Sequence, residues 1–374
     1  MPYHHNPFHF VFNKELDELY LSLAIRNLAL SMIGIFVPIY LLNLNYSLSS
    51  ILFFYAIVYG VHTIITPVTG KFVSKYGFKH SMLVSIPLLI TFFLLLNTLE
   101  NQQWPLWLLG IFLGTQLAFF WTGYHVDFSI NSSKKKRGTQ ISMATLSSAI
   151  AKAAGPLLGG LLIAFVSFHF VFILVIFLLA ITTLPLFFTK DEHKPIKFSF
   201  KQLLKIQKPT ETLSIFSFGA DNAMNGIVWP IFIYMTILNS YVALGFTSSL
   251  ALLFSLGFIL ISGKFANKKP KKTLKLGSIF SSIIWIVRSF VITPFQVYVI
   301  DAIAGSAREL MNVSFDVRTY ENANKTDIVG FVIYREILLS ASRTLLFISL
   351  GLFTALATKF FYIGAILSLM QLLI

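Results

Sequence analysis

Gly34-Ile35-Phe36-Val37-Pro38-Ile39 and Gly226-Ile227-Val228-Trp229-Pro230-Ile231 are one phrase written twice, 192 residues apart. A second pair follows in step, since Thr69-Gly70-Lys71-Phe72 matches Ser262-Gly263-Lys264-Phe265 at an offset of 193. Lys152 and Arg343 correspond at an offset of 191. Three correspondences that keep one register across half the chain read as an internal structural repeat.

Working outward, each copy sits in an apolar stretch about as long as a helix needs to cross a hydrocarbon core of roughly 30 Å. The 374 residues are 56% hydrophobic and 12% charged, with a mean hydropathy of +0.77, which excludes a surface facing mainly water. Helices are predicted at 19–42, 49–69, 81–99, 105–128, 141–165, 168–188, 212–238, 244–261, 274–292, 295–315, 328–355 and 360–374. The short alternating segments of a membrane β-barrel are absent from the pattern. The fold expected is all-α, a polytopic protein of twelve transmembrane helices in two pseudo-symmetric six-helix bundles, 1–188 and 212–374, joined by a linker at 189–211.

The net charge of +14 would suggest nucleic acid for a soluble protein, but the positions of the charges argue otherwise. Of the 29 Lys and Arg, 22 fall in the N-terminal tail and the even-numbered connections, and the opposite connections carry only Lys359. Basic loops stay inside, so both termini are placed in the cytoplasm, in a bacterial-type inner membrane. The linker sets Ile196, Phe200, Leu203 and Leu204 against Lys197, Lys201, Lys205 and Lys208, the pattern of a basic amphipathic helix lying on an anionic lipid surface. The last apolar segment reaches about 22 Å, less than a bilayer needs, and is read as truncated at Ile374. There is no cysteine, hence no disulfide framework or thiolate metal site. No cleavable signal is visible, and the first apolar segment reads as a retained helix. His4, His5 and His9 read as a polar tail, so no metal or other cofactor is expected.

After the second helix stands Gly70-Lys71-Phe72-Val73-Ser74-Lys75-Tyr76-Gly77-Phe78-Lys79. It resembles the Gly-x-x-x-Asp-Arg-x-Gly-Arg-Arg loop of the major facilitator superfamily, with Ser74 in place of the aspartate. In the fifth helix Gly155-Pro156-Leu157-Leu158-Gly159-Gly160 is similar to the Gly-Pro-x-x-Gly-Gly core of that family's antiporter motif. The resemblance spans essentially the whole chain. It implies alternating access by two bundles, a monomer working in a lipid bilayer, and a central cavity lined by helices one, four, seven and ten. Physically, Gly70 and Gly77 permit a tight turn where two helices meet, and Lys71, Lys75 and Lys79 hold it at the interface. Gly263 and Lys264 repeat part of it. The small residues of the fifth helix allow close approach, and Pro156 loosens its backbone ladder.

Charges within the membrane are costly and tend to line aqueous paths or pair with one another. Stripes at helical spacing run through Gln116, Phe120, Gly123 and Asp127; through Asp221, Asn222, Asn225 and Trp229; and through Asp301, Gly305, Arg308 and Asn312. Lys152 in the fifth helix corresponds to a stripe of Glu336, Ser340 and Arg343 in the eleventh. Asp221 is the expected substrate or proton site, with Arg26 as its counter-charge. Asp301 with Arg308, Glu309 with Arg335 and Glu336 with Arg343 read equally as pairs that fix helix register. His62 and His125 have the pKa for proton relay but stay outside the expected site, because lone helical histidines are usually structural.

The function expected is secondary active transport of a small solute, coupled to an ion such as a proton, tilted toward efflux or antiport. No nucleotide-binding run Gly-x-x-x-x-Gly-Lys-Ser/Thr is present, so the energy comes from a gradient or a partner subunit. Two other readings are open. One is a transporter-like scaffold or sensor without turnover; the other is a membrane-embedded enzyme on lipid-linked substrates, against which stands the lack of any His-Glu-x-x-His run or nucleophile set.

Overall fold

The computed structural model describes residues 14–132, 136–182, 208–325, 327–353 and 358–373. The expected linker helix and the histidine-bearing tail lie outside them. Among the described residues every regular element is helical.

α1 (Lys14–Ile33) passes through a tight turn, Gly34–Phe36, into α2 (Val37–Asn43). α3 (Leu48–Tyr76), α4 (Phe78–Asn97), the single turn α5 (Leu99–Gln102), α6 (Leu106–Asn131), α7 (Arg137–Phe165) and α8 (Phe168–Ile181) complete the first half. The second half opens with α9 (Pro209–Ala223), a π-helical turn at Met224–Val228, α10 (Trp229–Ile233) and a second π-helical turn at Tyr234–Leu238. It continues with α11 (Tyr241–Lys268), α12 (Pro270–Arg288), α13 (Pro294–Ala323), α14 (Ile328–Phe353) and α15 (Phe361–Met370). Among the described residues six helical spans are long and apolar enough to cross a membrane, including Leu21–Asn43, Leu48–Tyr76 and Tyr241–Ile259.

The repeat in the sequence returns as a repeat in packing. In the first half α1 packs on α7 and α8, α3 on α6, and α4 on α6 and α8. In the second half the equivalents do the same: α9 on α14 and α15, α11 on α13, and α12 on α13 and α15. The halves meet through α7 against α11 and α3 against α14, contacts that exchange when the halves exchange. A two-fold relation between the two halves accounts for all of these pairs.

The helices run past the ends read from hydropathy, and one expectation about the turn is corrected. Gly70 is a buried residue inside α3, so only Gly77, at φ 96°, makes the turn to α4. Gly263 likewise lies inside α11, where a side chain would meet the hydroxyl of Ser142 and the carbonyl of Gly138 on α7. Loss of hydrophobicity marks where a helix leaves lipid, not where its backbone ladder stops.

Large side chains facing outward include Ile64 (73% exposed), Phe165 (81%) and Phe295 (74%), an apolar coat suited to acyl chains. An outer groove of about 700 Å³ among Phe258, Phe280, Phe290 and Phe295 belongs to this coat. Inside, close approach depends on glycine. A Cβ at Gly155 would overlap Ser31 on α1, and one at Gly159 would overlap the Met32 carbonyl. Gly160 meets the carbonyl of Tyr241 at the start of α11, in the other half. Because the obstacle at Gly159 is backbone, Gly159→Ala is expected to cost about 1–3 kcal/mol by forcing α1 and α7 apart. Thermal unfolding in detergent would show it, with Gly257→Ala, which meets open space, close to wild type.

Candidate functional site

A cavity of about 700 Å³ lies between the two bundles, walled by α1, α3, α6, α7, the α9–α10 region and α11 to α14. The glycines of the repeated phrase, Gly34 and Gly226, both line it, and a Cβ at either would meet nothing within 4 Å. The π-helical turn at Met224–Val228 puts Asn225 and Gly226 on the wall and widens the backbone there.

Six charged side chains line the cavity: Lys152, Arg288, Arg308 and Arg343 against Asp301 and Glu309. One pair is internally closed. Arg288 Nη2 donates to Asp301 Oδ1 at 2.7 Å and Nη1 to Asn225 Oδ1 at 2.6 Å, while Trp229 Nε1 stands 2.9 Å from both Asp301 oxygens. The Arg288 guanidinium also lies 4.4 and 4.7 Å from the ring centroids of Trp229 and Trp285, which lets a buried cation share two π faces. On the wall itself Glu309 then remains to balance Lys152, Arg308 and Arg343, with Asp221 acting on Arg308 and Glu336 on Arg343 from behind it. Arg308 Nη2 donates to Asn222 Oδ1 at 2.9 Å, and Arg343 Nε donates to the Gly219 carbonyl at 3.3 Å with its guanidinium 5.2 Å from the Tyr59 ring. Neither of these two is neutralised by a salt-bridged carboxylate among the described residues. The wall therefore carries an excess of positive charge.

Several expectations are corrected by this arrangement. Asp221 is fully buried and does not line the cavity: its Oδ1 accepts from Trp285 Nε1 at 2.8 Å and Ser368 Oγ at 2.9 Å, inside the second bundle. A residue turns by about 100° from its neighbour on a helix, so Asn222 faces the cavity while Asp221 faces α12 and α15. Nor is Arg26 its partner, since that buried guanidinium sits 3.5 Å over the Phe120 ring. The register pairs also differ. Asp301 pairs with Arg288 rather than Arg308, and Arg335 holds Asp316 at 2.7 Å and Glu336 at 2.6 Å, leaving Glu309 and Arg343 without those partners. Gln116 is buried away from the cavity lining. Lys152, Asn222, Asn225, Asp301, Arg308 and Arg343 do come together on the wall. Arg288 was visible in the sequence as a charge within a helix, but its partner lies on the neighbouring helix, which spacing along one helix does not show.

One end of the cavity is shut, the end that carries the lysine-rich turns. There Gly138 N donates to Asn267 Oδ1 at 2.7 Å, Asn267 Nδ2 donates to Thr139 Oγ1 at 2.7 Å, and His125 Nδ1 lies 2.6 Å from the Tyr320 hydroxyl. Leu23, Phe128, Ile141, Ala266, Val313 and Val317 close a core across both halves at the same level. Lys71, Lys75 and Lys264 are exposed at this end, whereas Lys79 is buried.

Residues 19–325 match the model of the Major Facilitator Superfamily. The chain belongs to that family. As a major facilitator protein it is an integral, multi-pass membrane transporter and not an enzyme. Two solved structures share the major facilitator fold. A bacterial homologue of the iron transporter ferroportin, in its outward-facing state, superposes with a TM-score of 0.70 at 14% identity, covering 96% of this chain and 98% of its own. The human organic anion transporter MFSD10 (TETRAN) gives a TM-score of 0.70 at 12% identity, covering 96% and 99%. No curated protein sequence matches.

Proposed function

We propose that this transporter carries a small, negatively charged solute by alternating access, driven by an ion gradient. The observation that carries the reading is the cavity wall, where Lys152, Arg308 and Arg343 face a single uncommitted carboxylate, Glu309. Moving several like charges out of water is unfavourable unless an opposite charge joins them, and an anion filling the cavity supplies it. Tyr59, Trp121 and Trp229 provide apolar and aromatic surface for the body of such a solute. The support comes from these side chains, because neighbours at 12 and 14% identity share the fold alone.

Twelve crossings with both termini in the cytoplasm fit the helix order and the basic loops. The bundles are then 1–188 and 212–374, and the shut end is cytoplasmic. In the present state that end is closed, and Asn43 with Tyr241 and Ser49 with the Gly351 carbonyl also join the halves at the opposite end. Opening the cytoplasmic end requires the contacts at Gly138, Asn267 and His125 to part while the region around Gly34 and Gly226 closes. Gly155, Pro156, Gly159 and Gly160 stand where α7 meets both α1 and α11, which favours a rocking, exchange-type cycle at that seam. One chain supplies every wall of the cavity, as a working monomer requires.

A thermal-shift screen of the purified protein tests the substrate class. Carboxylates or phosphates of moderate size are expected to stabilise it, less so at high salt, while their amide or amine analogues do not. Stabilisation by amines alone would contradict the proposal.

A further inference from the structure

We infer that Asp221 holds a sodium ion inside the second bundle, behind the cavity wall, and that this ion and the anionic solute strengthen one another's binding. The inference rests on the anion reading and deepens it by naming the coupling ion and its place.

Asp221 on α9 has no exposed surface, and only one of its oxygens is engaged. Oδ1 accepts from Trp285 and Ser368, whereas Oδ2 has no hydrogen-bond partner among the described residues. Ser368 Oγ also lies 3.1 Å from Ser281 Oγ, so a carboxylate and two hydroxyls already converge from α9, α12 and α15. One turn from them, toward the same end, stand Ser278 on α12 and Gln371 just past α15, both fully buried. The turn that carries Gln371 packs between α9 and α12. The Ser278 hydroxyl and the Gln371 amide are likewise unpartnered among the described residues. Burying such groups unpaired is costly, and one bound ion satisfies several of them at once.

The donors identify the ion. Asp221 Oδ2, the serine hydroxyls and Gln371 Oε1 are hard oxygens suited to alkali and alkaline-earth cations, with no imidazole or thiolate for a transition metal. A single carboxylate matches one positive charge, whereas calcium sites gather several acidic ligands. A proton would occupy Oδ2 alone and leave Ser278 and Gln371 unsatisfied.

The surrounding charges link the site to the solute. Arg308 acts on Asp221 from α13 and Arg288 from α12, and Arg288 is already closed on Asp301. Arg343 on α14 reaches the Gly219 carbonyl, two residues before Asp221, and Glu309, next to Arg308 in the chain, lines the cavity. Arg308 is therefore shared, since it balances Asp221 on one side and lines the cavity on the other. Sodium on the carboxylate releases the arginine's charge to an anion, and an anion on the arginine lowers the cost of sodium behind it. Opposite charges on the two ligands set the sign of the coupling, and linkage makes it reciprocal.

Binding of radioactive sodium to the purified protein in detergent, with choline chloride holding the ionic strength, tests the site without any solute. Its failure therefore leaves the anion site standing. Saturable binding is expected in the wild-type chain. Asp221→Asn should abolish it, and Gln371→Met should weaken it by about 10- to 100-fold, as loss of a supporting group at a metal site does. Arg308→Gln should bind sodium about 5-fold more tightly or better, because the competing cation is gone. No saturable binding by the wild-type chain, or binding unchanged in Asp221→Asn and Gln371→Met, would overturn the site. If Asp221→Asn does not fold, Gln371→Met alone decides. Sodium bound no more tightly by Arg308→Gln would overturn the link to the solute.

Discussion

Arg308→Gln is expected to weaken the apparent affinity for an anionic solute by about 10- to 100-fold. The side chain is anchored at Asn222 by one nitrogen, which leaves the rest of its planar fork turned to the cavity. A hydrogen bond to a charged group contributes about 1.5–3 kcal/mol, and each 1.4 kcal/mol is tenfold in binding. Arg308→Lys keeps the charge but loses the fork, so it should recover affinity only in part. The concentration dependence of exchange into proteoliposomes measures both variants. Unchanged affinity in Arg308→Gln would move the anion site elsewhere.

The second large effect concerns stability. Asp301→Ala is expected to destabilise the protein by about 3–5 kcal/mol, because it strands the Arg288 guanidinium, 4% exposed, between two indole rings. Trp229 Nε1 would lose its acceptor in the same step. Replacing both partners by apolar residues, Asp301→Leu with Arg288→Met, should recover most of the loss, since the cost lies in an unpaired buried charge rather than in the absent pair. Unfolding of the purified variants in detergent provides the comparison. A double variant no better than Asp301→Ala would mean that the pair is itself a large net stabiliser.

The repeated phrase was a reliable guide to the fold because it marks the same geometric need twice. Gly34 and Gly226 each stand at the cavity surface, and Gly138 and Gly263 face one another at the shut end. Helical stripes indicated which wall Asn222, Arg308 and Lys152 would occupy. They were too coarse for Asp221, one residue from Asn222 yet turned into its own bundle. Pairing was the least legible feature. Asp301 finds Arg288 across a turn, and Glu336 finds two histidines on helices of the other half, contacts set by how bundles dock rather than by any interval along the chain. Lone histidines in α3 and α6 gave no local sign that they converge.

Side-specific labelling of Gly226→Cys tests the central claim most directly, since that position lines the cavity, meets open space and is the only thiol in the chain. In vesicles of defined orientation, a membrane-impermeant maleimide is predicted to reach it from either face during solute exchange. Labelling from one face only, while solute continues to exchange, would contradict a cavity that opens alternately to the two sides.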